Sequence, residues 1–321
     1  MGYVEQITED MYRYLPPLTK KDDFDAFWAG TIRQARSVPL RPEIQPVDYP
    51  SRHVKVYDIS YNGMDETRIH GWFLVPAFAK QDRYPCLIHY HGFTGSRGMP
   101  SDFMHWTAMG LAVLSIDCRD QGGRTGNHTA YSHGFALNVA SKGVHDKLEY
   151  YYRFAYMDCM KAIDLACGLE EVDVSKIVIE GASQGGALGM AVCALDGRPA
   201  LAMVDVPSNS NLVSRIDGYH GAFSSVAEYL KKHPDQTDLV LDNLSYFDTM
   251  NMADRIKCRV LASVALKDEV CPALMYFATY NRLRCDKEIA IYPFNGHEGG
   301  GALHTERKMA FLFKHYPGWF A

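Results

Sequence analysis

Gly181-Ala182-Ser183-Gln184-Gly185 sets a serine between two glycines, with the apolar run Ile177-Val178-Ile179 just before it and a helical run after it. A G-x-S-x-G in a strand-turn-helix context holds the serine on a sharp turn, and the glycines remove side chains that would collide there. A serine hydroxyl is a weak nucleophile until a base takes its proton and a carboxylate orients that base, so acyl transfer requires a His and an acid further along the chain. The competing reading is a glycine turn that packs tightly or holds an anion at the helix N-terminus.

In α/β hydrolases the acid follows a late strand and the His follows the last one. Here Asp268 follows the apolar run Val260–Ala265, and His297 follows Glu288–Tyr292. Glu269 competes for the acid role, and Asp268 could instead cap a helix starting near Pro272. His297 and Glu298 invite a metal reading, but the next histidine is His304, so the H-E-x-x-H spacing that puts two ligands on one helical face is absent. Backbone N–H groups of Gln184 and of Phe93 are the candidate oxyanion hole, Phe93 lying in the loop after the strand Cys86–Tyr90. Tyr90, Gly92, Trp106 and Pro207 are the candidate substrate-binding residues; a glycine turn without catalytic duty is the plainer account of the Gly92 segment.

These residues need a scaffold, and the hydrophobic pattern supplies one. Phe24, Phe27, Trp28 and Ile32 form one helical stripe over 22–37. Val54–Ser60 and Arg68–Val75 read as an antiparallel hairpin turning at Asn62-Gly63. Short apolar runs then alternate with helical ones. Strands are expected at Cys86–Tyr90, Ala112–Ile116, Lys176–Glu180, Leu201–Val206, Val260–Ala265 and Glu288–Tyr292, with helices near 101–110, 148–168, from 184, 272–283 and 303–315. Such alternation predicts a mostly parallel sheet with helices on both faces, an α/β architecture. The whole chain, 1–321, reads as one domain in which 207–257 is a helical cap insertion, helical over 219–231 and 245–255 with a solvated stretch between them.

The chain has 321 residues, 47% hydrophobic and 22% charged, which excludes disordered and fibrous classes. A formal net charge of -5, with no run of Lys or Arg longer than a pair, offers no footprint for nucleic acid or an anionic membrane. No stretch approaches the roughly 18 apolar residues of a membrane span, and the N-terminal segment has Glu5 where an export signal needs basic and then apolar residues. The eight cysteines form no C-x-x-C pair and read as free thiols of a cytoplasmic protein.

The whole pattern resembles the acetyl xylan esterase and cephalosporin C deacetylase family, carbohydrate esterase family 7. The likeness rests on Lys21-Asp22-Asp23-Phe24-Asp25-Ala26-Phe27-Trp28, Val47-Asp48-Tyr49-Pro50, Ile69-His70-Gly71-Trp72, Tyr90-His91-Gly92, Arg119-Asp120-Gln121-Gly122, Tyr150-Tyr151-Tyr152-Arg153, Ser183-Gln184-Gly185-Gly186, Leu244-Ser245-Tyr246-Phe247-Asp248 and Gly296-His297-Glu298. The resemblance implies an α/β hydrolase that deacetylates small carbohydrate esters such as xylo-oligosaccharides, or cephalosporin C-type esters. It assigns Ser183 as nucleophile, His297 as base and Asp268 as its orienter, with no metal or organic cofactor. It implies a cytoplasmic homo-oligomer, a hexamer with sites facing an internal cavity, and gives Arg119 a bracing role around the elbow. Phe93 stands where the family usually has Tyr, and Asp120 interrupts the Arg-Gly-Gln-Gly pattern; the polar Ser208-Asn209-Ser210-Asn211 leaves the leaving-group side open. Two other readings are an esterase for other short or medium acyl chains and a silent scaffold used for binding or assembly.

Overall fold

In the computed structural model, which describes residues 2–78 and 81–320, the apolar runs become strands of a nine-stranded sheet. Helices α1 (Tyr3–Arg13) and α2 (Phe24–Ser37) come first, then β1 (Glu43–Val47), β2 (Val54–Asn62), β3 (Arg68–Pro76) and β4 (Tyr84–Tyr90). The chain continues through α3 (Met104–Ala108), β5 (Ala112–Ile116), α4 (Tyr151–Gly168), β6 (Val172–Ala182), α5 (Gln184–Leu195) and β7 (Pro199–Asp205). Next come α6 (Leu212–Asp217), α7 (Ser224–Lys232) and α8 (Thr237–Leu244), followed by β8 (Arg259–Ala265), α9 (Ala273–Tyr280), β9 (Lys287–Tyr292) and α10 (Gly301–His315). The strand order is β1-β2-β3-β5-β4-β6-β7-β8-β9; β1, β2, β3 and β5 pair antiparallel in turn, and every pair from β5 to β9 is parallel. This is the mostly parallel α/β sheet expected from the alternation, in the α/β-hydrolase arrangement that the resemblance implies.

Because side chains alternate across a strand, the sheet divides its apolar residues between two cores. Cys86, Ile88 and Tyr90 of β4 and Ile177 and Ile179 of β6 join one core with α2, α4, α5 and α9. Leu87 and Val178 join the other, with Trp106 of α3 and Phe311 and Leu312 of α10. The stripe on α2 is real: Phe24 and Trp28 are fully buried, and Trp28 Nε1–H donates to the Tyr246 carbonyl at 3.1 Å, tying α2 to the 207–257 segment. Burying a side chain such as Phe24 contributes roughly 1.5–3 kcal/mol.

Several elements depart from expectation. The hairpin forms, but β2 runs through Asn62 and the reversal is longer than a two-residue turn, closing where Gly63 N–H donates to the Thr67 carbonyl at 2.8 Å. The helix near 101–110 is a 3-10 turn, Pro100–Phe103, followed by the five residues of α3. The segment 245–255 makes three separate 3-10 turns rather than one helix, because Asp248 accepts from the Asn211, Leu212 and Met250 N–H groups and holds the backbone in a capped turn. The stretch 231–238 is solvent-facing as expected, but it also carries the end of α7 and the start of α8. Helices α1 and α6 and strand β1 had no clear sequence signal. All eight cysteines are free, five of them buried and Cys167, Cys258 and Cys285 half-buried. No helix among the described residues is long and apolar enough to cross a membrane.

Candidate active site

The C-terminal ends of four parallel strands converge on one cavity: β4 leads to Gly92 and Phe93, β6 to Ser183, β8 to Asp268 and β9 to His297. Ser183 takes φ +57° and ψ -118°, a backbone state that costs on the order of 1–3 kcal/mol and is kept because its surroundings fix it. Its N–H donates to the Asp205 carbonyl at 2.8 Å. The flanking glycines are required by contact: a Cβ on Gly185 would lie 1.8 Å from the Tyr90 carbonyl oxygen, and one on Gly181 2.6 Å from the same atom.

Ser183 Oγ lies 3.0 Å from His297 Nε2, and His297 Nδ1 lies 2.8 Å from Asp268 Oδ2. A carboxylate only accepts, so Nδ1–H donates to Asp268 and Nε2 is left free to accept the serine proton. Asp268 Oδ1 accepts from the N–H groups of Val270 at 2.9 Å and Cys271 at 2.8 Å. Burial opposes its ionisation, but the bonds from His297, Cys271 and Val270 outweigh that cost and hold its pKa below the ordinary carboxylate value. Glu269 instead contributes its carbonyl, 3.1 Å from His220 Nδ1. Asp268, Cys271 and His297 bring three potential metal-ligand atoms within 4.8 Å of one another. Hydrogen bonds already account for the carboxylate and for Nδ1, while burial pushes the Cys271 thiol up and keeps it protonated, a poor ligand.

Among the described residues, nothing accepts a hydrogen bond from the Phe93 or Gln184 backbone N–H. Both residues line the cavity beside Ser183, so two free donors border its hydroxyl. The cavity encloses about 530 Å³ and is walled further by Gly92, Val206, Phe223, Val270 and Cys271. Of the other substrate-binding candidates, Tyr90 is fully buried with its hydroxyl donating to the Cys159 carbonyl at 2.8 Å, supporting the elbow from below. Trp106 lies in the core on the opposite sheet face, because α3 packs there with α10. Pro207 is buried behind Gly186, leaving its neighbours Val206 and Ser208 to form the wall.

Beneath the elbow lies a buried charge cluster. Lys308 Nζ of α10 donates to Glu180 Oε1 at 2.6 Å and to Asp205 Oδ2 at 2.7 Å, while His304 lies 2.9 Å from both Asp205 Oδ1 and the Tyr292 hydroxyl. The helix that follows the His297 loop is thus bound to β6, which leads to Ser183, and to its neighbour β7.

The acetyl xylan esterase (AXE1) family profile matches residues 1–315. The chain belongs to the acetyl xylan esterase family. Its structure superposes on the acetyl xylan esterase from Paenibacillus sp. R4 with a TM-score of 0.92 at 37% identity, covering 98% of this chain and 99% of that one. Acetyl xylan esterase 1 from Thermoanaerobacterium sp. JW/SL YS485 gives 0.90 at 27% identity over the same shares. Acetyl esterase Axe7A of Xylanibacter ruminicola (strain ATCC 19189 / DSM 19721 / CIP 105475 / JCM 8958 / 23) is 27% identical over 296 residues, 88% of this chain, which spans 65% of that relative's length.

Against the family pattern, Asp120 sits at φ +58°, which explains why a glycine suits that position; Asp tolerates it and pairs with Lys142 rather than with Arg119. Arg119 does not brace the elbow with its guanidinium. It makes paired bonds to Asp158 (2.6 and 2.8 Å) and Asp65 (2.9 and 2.9 Å), joining α4 to the β2–β3 turn, because the guanidinium fork matches two carboxylates there. Bracing near the elbow comes from Gln121: its Oε1 accepts from Thr94 N–H at 2.8 Å, and its Nε2 donates to Gln184 Oε1 at 3.0 Å. Tyr152 donates to that same Gln184 oxygen at 3.1 Å, and His91 spans Gly92 and Cys118 through its two ring nitrogens. Sequence reasoning missed Gln121 as the link between the two loops although its motif was in view. It also missed Arg215 and Cys271, for which no spacing signal exists.

Proposed function

We propose that this chain is a serine esterase that removes acetyl groups from small acetylated carbohydrates such as xylo-oligosaccharides, and from cephalosporin C-type esters, through an acyl-enzyme. The observation that carries the reading is the Ser183–His297–Asp268 relay with both spacings at hydrogen-bond length. Ser183 attacks the acetyl carbonyl while His297 Nε2 takes its proton. The oxyanion rests on the Phe93 and Gln184 N–H groups, and His297 returns the proton to the leaving alcohol. Water activated by the same histidine then releases acetate. Asp268 fixes the tautomer and balances the imidazolium. No step draws on a metal or an organic cofactor.

In this reading 1–321 is one domain whose 207–257 segment caps the site, supported by Arg215, Ala222 and Phe223 on the cavity wall. The family resemblance supports a cytoplasmic homo-oligomer, hexameric, acting on soluble esters rather than on nucleic acid or membrane. Hydrolysis of 4-nitrophenyl acetate, butyrate and octanoate tests the substrate: acetate is expected to be fastest, and a preference for octanoate would sink the deacetylase reading while leaving the relay standing.

Asp268→Asn is expected to lower kcat by about 10³- to 10⁴-fold by offering His297 the wrong tautomer, with the melting temperature measured alongside. Because the folded pKa of Asp268 is lowered, its stabilising contribution is present above the ordinary carboxylate value and is lost as pH falls through the depressed folded one. The melting-temperature difference between wild type and the Asp268→Asn variant therefore narrows on acidification.

A further inference from the structure

Arg215 is a cation buried in the cavity wall with no carboxylate at ion-pair distance; the Phe223 ring lies 5.7 Å from its guanidinium carbon, and Asp248 is near enough to feel its charge without bonding to it. It is 1% exposed and projects from α6, a six-residue helix immediately after the β7 loop. Nη2 donates to the Val270 carbonyl at 2.8 Å and contacts Cys271 Sγ at 3.5 Å, and that sulfur is 3.9 Å from Ser183 Oγ. The guanidinium therefore stands one side chain behind the nucleophile. Its Nε and Nη1 atoms are buried and have no hydrogen-bond partner, and it is the one Lys or Arg among the described residues with such atoms.

Nearby carboxylates are committed elsewhere. Asp268 is held by His297 and two N–H groups, Asp248 by the Asn211, Leu212 and Met250 N–H groups, and Glu298 is exposed and bonded to Asn295 and to Gly296 N–H. The other buried cations show how this chain usually treats such a charge: Arg119 and Lys308 each meet two carboxylates, Arg97 one carboxylate and a carbonyl, Lys161 two carbonyls, and Arg153 donates through all three of its nitrogens to neutral oxygens. An unpaired buried guanidinium is costly unless something else supplies the acceptor. In a cavity wall beside a nucleophile, that something is the bound substrate.

We propose that Arg215 makes this site selective for esters that carry a carboxylate within a few bonds of the scissile acyl group. The carboxylate supplies acceptors for a planar fork of donors in a poorly solvated wall, where such a pair is strongest. The inference rests on the esterase reading above and narrows its substrates.

The test compares wild type, Arg215→Lys and Arg215→Met on three probes. These are 4-nitrophenyl acetate, which is neutral, mono-4-nitrophenyl succinate, with the carboxylate on the acyl half, and 4-acetoxybenzoate, with it on the alcohol half. The expected result is that kcat/KM for one charged probe, relative to the neutral probe, falls about 10- to 100-fold in Arg215→Met and is largely kept in Arg215→Lys. Which charged probe responds tells which half of the ester meets the guanidinium. Unchanged ratios for both charged probes in Arg215→Met overturn the proposal.

Should the Met variant fail to fold, calorimetric binding to wild type decides, with succinate against succinamide and 4-hydroxybenzoate against 4-hydroxybenzamide. At least tenfold tighter binding of one carboxylate supports the proposal, and equal affinities within both pairs overturn it. Wild type inert on all three esters would instead sink the esterase reading, and the binding comparison, which needs no turnover, still judges Arg215.

Discussion

Ser183→Ala lowers kcat/KM on 4-nitrophenyl acetate by about 10³-fold or more, the scale seen when a nucleophile of such a relay is removed. The substitution deletes one oxygen and leaves the backbone problem unchanged, since alanine at φ +57° is no more strained than serine. The contacts that fix the elbow, Gly181 and Gly185 against the Tyr90 carbonyl and Ser183 N–H to the Asp205 carbonyl, involve no serine side chain. The variant should therefore melt near wild type, and its residual rate reports what the two backbone donors and the cavity achieve alone. Adding Asp268→Asn to it should cost little more, because residues acting as a unit are not additive. Equal rates in wild type and Ser183→Ala would remove the serine from the mechanism.

Arg119→Met is expected to be the most destabilising single change, by about 3–5 kcal/mol. The guanidinium is fully buried and grips two carboxylates; without it, Asp158, itself 2% exposed, is left in the core with no cation. Burial pushes Asp65 towards the neutral form, yet the Arg119 bonds outweigh it and hold the carboxyl well below its usual range. A group with a depressed folded pKa stabilises above its ordinary value and ceases to do so as pH falls through the folded one. Asp158 narrows the gap sooner: burial outweighs the Arg119 bonds and raises its carboxyl to about 6, so by pH 4 it is neutral with or without Arg119, whereas the Asp65 contribution fades only below the ordinary carboxylate value. The gap should be widest at neutral pH, smaller at pH 4 and smaller again at pH 3, as denaturant melts would reveal. A gap independent of pH would mean the lost stability is packing, not charge. The prediction also separates stability from chemistry, since Arg119 touches neither the relay nor the cavity.

The relay was legible because its parts obey local rules: a serine between glycines after Ile177-Val178-Ile179, and an acid and a histidine each just past an apolar run. The central strands were legible for the same reason, being buried on both faces. Strand β1 escaped because it is an edge with mostly exposed residues and carries Pro46, which an edge tolerates and a central strand does not. Trp106 was misassigned because an amphipathic segment announces that it packs but not on which side of the sheet. Tyr90 was within reach of a parity argument: it shares a face with Cys86 and Ile88, both core residues. Arg215 could not be found by spacing, since its significance lies in partners it lacks, and only the assembled neighbourhood reveals those.

The charge cluster beneath the elbow bears on how the site reaches its working geometry. Lys308 grips Glu180, three residues before Ser183, and Asp205, whose carbonyl holds the Ser183 N–H, while His304 ties the same helix to Tyr292, five residues before His297. An internal strut therefore joins the strand that leads to Ser183 with the strand that leads to the His297 loop. For the proposed acyl transfer at Ser183, strands already joined on folding would limit how far the enzyme's own groups must reorganise at each turnover.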